Sequence, residues 1–476
     1  LDAHFLRRVK KAGFSDSSIA KIIGKSMEEV RQDRIAKGVT PFIKQIDTLA
    51  GEFPAHTNYL YLTYHGNEHD IEPSLSPKPK MMVLGGGPYS IGSSVEFDWC
   101  CVQATRELQK QGYDVAMVNS NPETVSTDYD ESDLLFFEQL TEEGVRDIHD
   151  LIHPEAVVVS MGGQVPNNLA PKLSKAGIKI LGTDPSDIDR AEDRHKFGSL
   201  LDTLEVDQPE WKEFSDIDSA KKFSESVGYP VIVRPSYVLS GAAMAVVHST
   251  EDLEAYVEQA AMVGKEAPVV ISKFEQGAKE IEIDGVAQNG DLLLYAISEH
   301  IENAGVHSGD ATLVMPPQRL HIETVRRLKV IAKKIVKGLN ISGPFNIQFL
   351  GKGNHLKVIE CNLRASRSFP FASKVTGTNF ASLATQALLR KAPTGIRYNT
   401  LDLDHVGVKA AQFSFSRLKG ADPRLGVEMT STGEVACFGL SAEEALLVSL
   451  LAVGFKMPKK NILLSIGALE DKVDLI

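Results

Sequence analysis

The stretch Lys357-Val-Ile-Glu-Cys-Asn-Leu-Arg-Ala-Ser-Arg-Ser-Phe-Pro-Phe371 decides how this chain is read. Leu356, Val358 and Ile359 mark the end of a strand that delivers Glu360, Asn362 and Arg364. Side chains on extended backbone alternate between faces, so these three share one face while Cys361 and Leu363 take the other. Carboxylate and amide oxygens are the hard ligands that Mg2+ prefers, and a guanidinium beside them suits an oxyanion gripped by two parallel hydrogen bonds. The combination points to a metal–phosphate site with an anionic co-substrate next to it. An exposed strand end carrying ordinary polar residues would explain Glu-x-Asn-x-Arg standing alone. Two neighbours argue against that. The strand Gly343-Pro-Phe-Asn-Ile-Gln-Phe-Leu350 precedes it across the turn-like Gly351-Lys-Gly-Asn354, a hairpin signal that sets Gln348 beside Glu360 as a second oxygen donor. Arg367 then adds a second cation three residues after Arg364.

The chain has 476 residues, too many for one core, and its length predicts about three domains. Hydrophobic residues make up 43% and charged ones 24%, the proportions of an ordinary globular protein. With 51 Lys and Arg against 63 Asp and Glu the net charge is −12. An acidic surface argues against nonspecific nucleic-acid binding, which needs clustered cations. The four cysteines, at 100, 101, 361 and 437, have no zinc-like spacing and are expected to be reduced thiols in a cytoplasmic protein. No apolar run of about 18 residues is present, so no membrane span is expected, and the start has no signal-like character. The chain begins without methionine and stops soon after a strand signal, Asn461–Ile466, which suggests a segment of something longer.

Residues 1–72 read as short helices, Phe5–Ala12, Asp16–Ile23 and Met27–Lys37, with glycines 13, 24 and 38 at their stops. Ser15–Lys37 has the outline of a helix-turn-helix. Its excess of positive charge is slight and the spacing is common, so packing or oligomerisation is expected there rather than DNA binding. A linker follows at 73–79 (PSLSPKP). From Lys80 strands and helices alternate: Met81–Leu84, a glycine loop at 85–92, a helix Phe97–Lys110, and strands Tyr113–Val118 and Ala156–Ser160. That order predicts a parallel sheet with both faces covered. The glycine loop lacks the spacing of a dinucleotide site, and Asn119-Ser-Asn-Pro122 stands where an acidic ribose ligand would be needed. A P-loop is excluded because no Gly-Lys-Ser/Thr follows.

Beyond residue 190 a helix at Ala191–Leu204 precedes the strand Tyr229–Ser236, a small-residue flap at Ser240-Gly-Ala-Ala243 and the strand Met244–Val247. A helix at Asp252–Met262 leads to the strand Val269–Phe274. Lys279–Ala287 and Leu292–Ile297 read as an antiparallel pair, and a hairpin at Val427–Phe438 and a helix at Ala442–Ala452 close the chain.

In this order the pieces resemble the ATP-grasp superfamily, and within it the large subunit of carbamoyl phosphate synthetase. The resemblance rests on AEDRHKF (191–197), VRPSYVLSGAAM (233–244), KEIEID (279–284), ENAGVHSGD (302–310) and IECNLRASRSFPF (359–371). It extends to SSVEFDWC (93–100), NPETVSTDYD (121–130) and SMGGQVPNN (160–168). It implies α/β and α+β architecture: a helical oligomerisation-type segment (1–72), a dinucleotide-fold-like parallel-sheet domain (80–190), an ATP-grasp domain (191–398), and a C-terminal part (399–476) running into a truncated regulatory domain. The segment is similar to the second synthetase half, where carbamate is phosphorylated, and EFPAHTNYLYLTYHGNEHD (52–70) resembles the eukaryotic version fused into a multifunctional pyrimidine-pathway protein.

The same resemblance implies site roles. Gln348, Glu360 and Asn362 would hold Mg2+ or Mn2+, two ions in all, with K+ a further cation. Arg234 and Arg194 would clamp the ATP phosphates, Lys273 and Glu275 would lie beside adenine, and Glu280 would accept the ribose hydroxyls. Spacing alone leaves Glu280, Glu282 and Asp284 equal, since they share one face. Gly305, Val306, His307 and Ser308 would lie near the phosphates, and Arg364 and Arg367 would hold carbamate. Relatives often have two glycines and a basic residue in the flap, where this chain has Ser240, Gly241 and Ala243, so backbone N–H groups would serve there. Implied partners are carbamate made from bicarbonate and ammonia, a glutaminase and a first synthetase half elsewhere, and further copies of the chain, without nucleic acid or membrane. The competing readings are an arginine-pathway or urea-pathway synthetase, another ATP-grasp carboxylase such as biotin carboxylase, and a non-enzymatic helical DNA-binding module with a degenerate nucleotide fold.

Overall fold

A computed structural model describes residues 1–55, 57–72, 76–235, 244–263, 268–391, 403–415 and 424–463. Three sheets organise them. In the first, Tyr59–Thr63, Leu134–Phe136, Asp114–Val118, Lys80–Leu84 and Ala156–Val158 run parallel in that spatial order, and Phe42–Gln45 adds an antiparallel edge. Its central strands, Met82 to Leu84 and Val115 to Val118, are fully buried, as a parallel sheet covered on both faces requires.

Residues 1–72 are therefore not all helical. Helices occupy Ala3–Lys11, Asp16–Ile23 and Met27–Ala36, each started by an Asp or Ser side chain that accepts a backbone N–H. Phe42–Gln45 and Tyr59–Thr63 instead extend the parallel sheet. The short Tyr59–Thr63 pattern acquires meaning from a partner strand some 75 positions later, as in the pairing of Tyr59 with Leu135, and Phe42–Gln45 in turn pairs with it. The short strand Leu134–Phe136 escaped notice in the sequence for the same reason. The helix-turn-helix outline also dissolves. Arg31 and Arg34, which a duplex-binding face would expose, are buried against Asp147 and Asp16.

A four-stranded antiparallel sheet, Trp211–Phe214, Val269–Lys273, Val231–Pro235 and Ala245–Val247, forms a small lobe with its own core of Val231, Val233, Leu253 and Ile271. A seven-stranded antiparallel sheet forms the larger one: His355–Asn362, Gly343–Lys352, Lys279–Gln288, Asp291–Asn303, Leu313–Met315, Val406–Gln412 and Gly433–Gly439. The last hairpin pairs Val406 with Gly439 and Gln412 with Gly433, so its first strand lies upstream of the expected Val427–Phe438. The expected helix at 191–204 is two helices, Pro185–Glu192 and Arg194–Thr203, broken at Asp193, whose carboxylate accepts the Lys196 N–H and starts the second. That break swings Arg194 toward the space between the lobes. The flap at 240–243 lies outside the described residues, as do parts of the linker at 73–79 and of the terminal strand signal at 461–466, of which Asn461–Leu463 is not strand. All four cysteines are free thiols.

Candidate functional site

A cleft of about 740 Å3 opens between the small lobe and the large sheet, and every one of the fourteen site residues expected above lines it. Across the hairpin Gln348 pairs with Glu360 and Asn346 with Asn362, so the period-2 rule puts their side chains on the cleft face. Cys361 and Leu363, each 2% exposed, point into the core. The Asn362 amide donates to Glu360 Oε1 at 2.9 Å, and the Gln348 amide donates to Ser308 Oγ at 3.1 Å. Both amides thereby turn their carbonyl oxygens toward other company. Among the described residues no three His, Cys, Asp or Glu side chains converge as a metal cluster. One carboxylate with two amide oxygens is a set that fits Mg2+ only when phosphate oxygens complete its shell, which is how Mg2+ is usually held beside nucleotides.

Cations stand beside these oxygens. Arg194 donates to the Ile359 carbonyl at 2.8 Å and lies over the Trp211 ring at 5.0 Å, yet its Nε has no partner among the described residues. Burial pushes its pKa down to about 10, the Arg234 charge adds to this, and Glu360 opposes it. Both guanidiniums line the cleft, and their mutual repulsion is what a bound anion would relieve. The His307 Nδ1 accepts the Gly309 N–H at 3.0 Å, and burial holds the ring below its ordinary pKa. It is therefore a neutral imidazole with the proton on Nε2.

The three acids that spacing left equal differ in their partners. Glu282 pairs with His300 at 3.0 Å and accepts from Asn346, while Asp284 accepts from Ser368 at 2.6 Å and from Asn346 at 2.9 Å. Glu280 alone of the three has no hydrogen-bond partner among the described residues. Burial, with the charges of Glu282 and Glu360 assisting and His300 opposing, pushes its carboxyl up to about 7. Lys273 donates to the Gly228 carbonyl at 2.6 Å, and Glu275 is paired with Lys357, so backbone is what residue 275 offers the cleft.

The two arginines after the hairpin differ. Arg367 is balanced: it donates to Glu96 at 2.7 Å and lies 4.0 Å from Glu434. Arg364 has no carboxylate in ion-pair range among the described residues, although it is buried enough for its pKa to fall. Glu192 and Glu360 act on it only through space, so a bound anion would add the direct partner it lacks. Several contributors were missed in the sequence. Lys409, 1% exposed, reaches the Ser308 and Gly309 carbonyls at 3.4 Å and Glu434 at 3.5 Å; a lysine inside the apolar run VGVKAAQ (406–412) was its signal. Gln164 and Glu192 come from motifs that carried the resemblance but no assigned role.

The glycine loop of the parallel sheet serves packing. A Cβ on Gly162 would lie 2.5 Å from the Leu84 and Gly85 carbonyls, and one on Gly85 would lie 2.6 Å from Asn119 Cγ. The Asn119 side chain also accepts the Gly87 N–H at 3.0 Å, so an amide fills the crevice that a dinucleotide would enter.

A carboxylate–amide hairpin facing a small antiparallel lobe, with paired arginines between, defines an ATP-grasp protein. The biotin carboxylase of Campylobacter jejuni has this fold, with a TM-score of 0.60 over 78% of this chain and 91% of that one at 16% identity. Residues 77–190 match the carbamoyl phosphate synthase preATP-grasp domain, and residues 193–390 match the carbamoyl-phosphate synthase L chain, ATP binding domain. The chain belongs to the carbamoyl-phosphate synthase large-chain family. It is 57% identical to multifunctional protein URA2 of Saccharomyces cerevisiae over 99% of this chain and 21% of that protein. It is 54% identical to the carbamoyl phosphate synthase arginine-specific large chain of Cutaneotrichosporon cutaneum over 97% of this chain and 40% of the other. The chain thus spans about a fifth of the length of the first relative. No helix among the described residues is long and apolar enough to cross a membrane.

Proposed function

We propose that the cleft phosphorylates carbamate with ATP, the last step of carbamoyl phosphate synthesis, as part of a longer multifunctional polypeptide serving pyrimidine synthesis. The observation that carries this reading is Arg364, a half-buried guanidinium in no direct ion pair among the described residues, standing next to an oxygen set suited to a nucleotide-borne cation. Arg194 and Arg234 would receive the phosphates, Glu280 the ribose, and Glu360, Asn362 and Gln348 the divalent cation. Bound there, Mg2+ would neutralise charge on the phosphates. The carbamate oxygen is already anionic, so its attack on the γ-phosphorus needs no base; the O–P bond to ADP breaks as the new one forms. What the residues contribute is alignment, fixed positive charge and exclusion of water. The 54% identity to an arginine-specific relative keeps arginine supply as a second reading of the same chemistry. The deciding experiment is the reverse reaction: ADP, Mg2+ and carbamoyl phosphate incubated with this chain should yield ATP. Biotin-dependent release of phosphate instead would refute it.

Two further outcomes follow from the geometry. Glu360→Gln removes the sole carboxylate of the oxygen set, and the Mg2+ concentration for half-maximal ATP formation should rise by roughly tenfold or more. An unchanged Mg2+ dependence would strike Glu360 from the ligand list. Glu280, raised to about 7 from an ordinary 4.5, holds a proton in the folded chain that the unfolded chain has released, so its contribution to stability falls as pH rises between these values. Ribose hydroxyls donate, and so favour the carboxylate. ADP should therefore bind more tightly as pH rises from 6 to 8, by about tenfold for a group of that pKa. Glu280→Gln should flatten the profile, and an equally steep profile in that variant would exclude the role.

A further inference from the structure

The co-substrate end of the cleft is built by two domains, and one side chain joins them. Gln164 begins the short helix Gln164–Asn167 of the preATP-grasp domain, and its Oε1 accepts the Arg364 Nε–H at 2.7 Å across 200 residues of chain. The amide cannot turn over freely. Its Nε2 donates to Asn168 Oδ1 at 2.7 Å, which leaves the oxygen as the face presented to Arg364. A guanidinium has five N–H groups. Gln164 takes one of them, the Ala365 carbonyl a second at 3.1 Å, and Asn362 Oδ1 a third at 3.3 Å, so two remain. The Phe97 ring lies beneath the guanidinium at 5.9 Å. Neutral oxygens hold the plane without cancelling its charge. Glu192, the nearby acid lining the cleft, is pushed up by burial against the pull of Arg364.

Resting on the carbamate reading, we infer that Gln164 is a positioning residue for Arg364, and that the co-substrate pocket is an interdomain site whose open N–H pair receives a small planar carbamoyl or carboxyl anion. The hydrogen bond turns the guanidinium plane; a carboxylate in its place would hold Arg364 in an ion pair and compete with the anion.

The test uses phosphonoacetamide, which replaces the bridging oxygen of carbamoyl phosphate with CH2 and cannot transfer its phosphoryl group. It is titrated calorimetrically onto the chain saturated with Mg2+ and ADP. Gln164→Leu should weaken its binding by roughly 10- to 100-fold, the range for a hydrogen bond to a charged group. Direct ADP binding should stay within about twofold, since Gln164 touches none of the nucleotide-facing residues. In an Arg364→Lys background, which has no Nε–H for Gln164 to accept, the added loss should be less than about twofold. Gln164→Glu should weaken binding as well, despite keeping the acceptor oxygen. Equal affinity in Gln164→Leu, losses that multiply with Arg364→Lys, or no binding to the unaltered chain would each overturn the inference. ATP formation from ADP and carbamoyl phosphate by the unaltered chain judges the carbamate reading separately.

Discussion

Arg364→Ala should lower ATP formation from ADP and carbamoyl phosphate by about a hundredfold or more while leaving ADP affinity within about threefold. Arg364 lies at the end of the cleft beyond Glu360 and Asn362, held by Gln164, Ala365 and Asn362 rather than by an anion. Its charge is therefore available to the co-substrate, and losing one positioned cation from a low-dielectric transition state costs about 3 kcal/mol. Arg367 provides the contrast. Its Glu96 partner already balances it, so Arg367→Ala leaves Glu96, 4% exposed, without its cation and should show folding defects alongside lost turnover. A parallel fall of ADP affinity and turnover in Arg364→Ala would assign it to nucleotide binding instead. The measurement is coupled ATP detection together with direct ADP titration.

Arg34→Ala should destabilise the N-terminal part of the chain by about 3–5 kcal/mol, the largest stability effect expected of a single substitution here. Arg34 is fully buried. Its Nε donates to both Asp16 oxygens at 2.8 and 2.9 Å, one Nη donates to both Asp147 oxygens at 2.9 and 3.1 Å, and the other reaches the Val39 carbonyl at 3.3 Å. Four of its five N–H groups thus meet acceptors, and three helices meet on one guanidinium: Asp16–Ile23, Met27–Ala36 and Glu142–Ile152. Removing it leaves two carboxylates in the interior; Arg31 at 2.5 Å still serves Asp147 and Lys10 at 3.2 Å still serves Asp16. Arg34→Lys keeps the charge but cannot bridge both acids with a fork, so it should recover only part of the loss. The urea midpoint followed by far-UV circular dichroism would report it. A midpoint equal to that of the unaltered chain would mean that the network contributes nothing net.

Much of the candidate site's arrangement was legible in the sequence. The alternation along Lys357–Arg364 put Glu360, Asn362 and Arg364 on one side, and the turn at 351–354 set the register that faces Gln348 with Glu360. Both are local: they follow from backbone geometry and from a short loop. The choice among Glu280, Glu282 and Asp284 was not legible, because a strand makes them equivalent and only the neighbours His300, Asn346 and Ser368 distinguish them. Nor was the difference between Arg364 and Arg367, set by Glu96, which lies 271 residues away.

The same division holds for the fold. Residue type and spacing alone determined the hairpin, the alternating strands and helices from Lys80, the oxygen donors of the cleft and the unsuitability of the glycine loop for a dinucleotide. Tertiary structure decided that Phe42–Gln45 and Tyr59–Thr63 join the sheet, that Asn119 closes its crevice, that Lys409 lies under the loop carrying Ser308, and that Gln164 holds Arg364. The reason is reach: periodicity and turn chemistry act over a few residues, whereas the charge balance of a buried group depends on whichever segments the packed chain brings within a few ångströms of it.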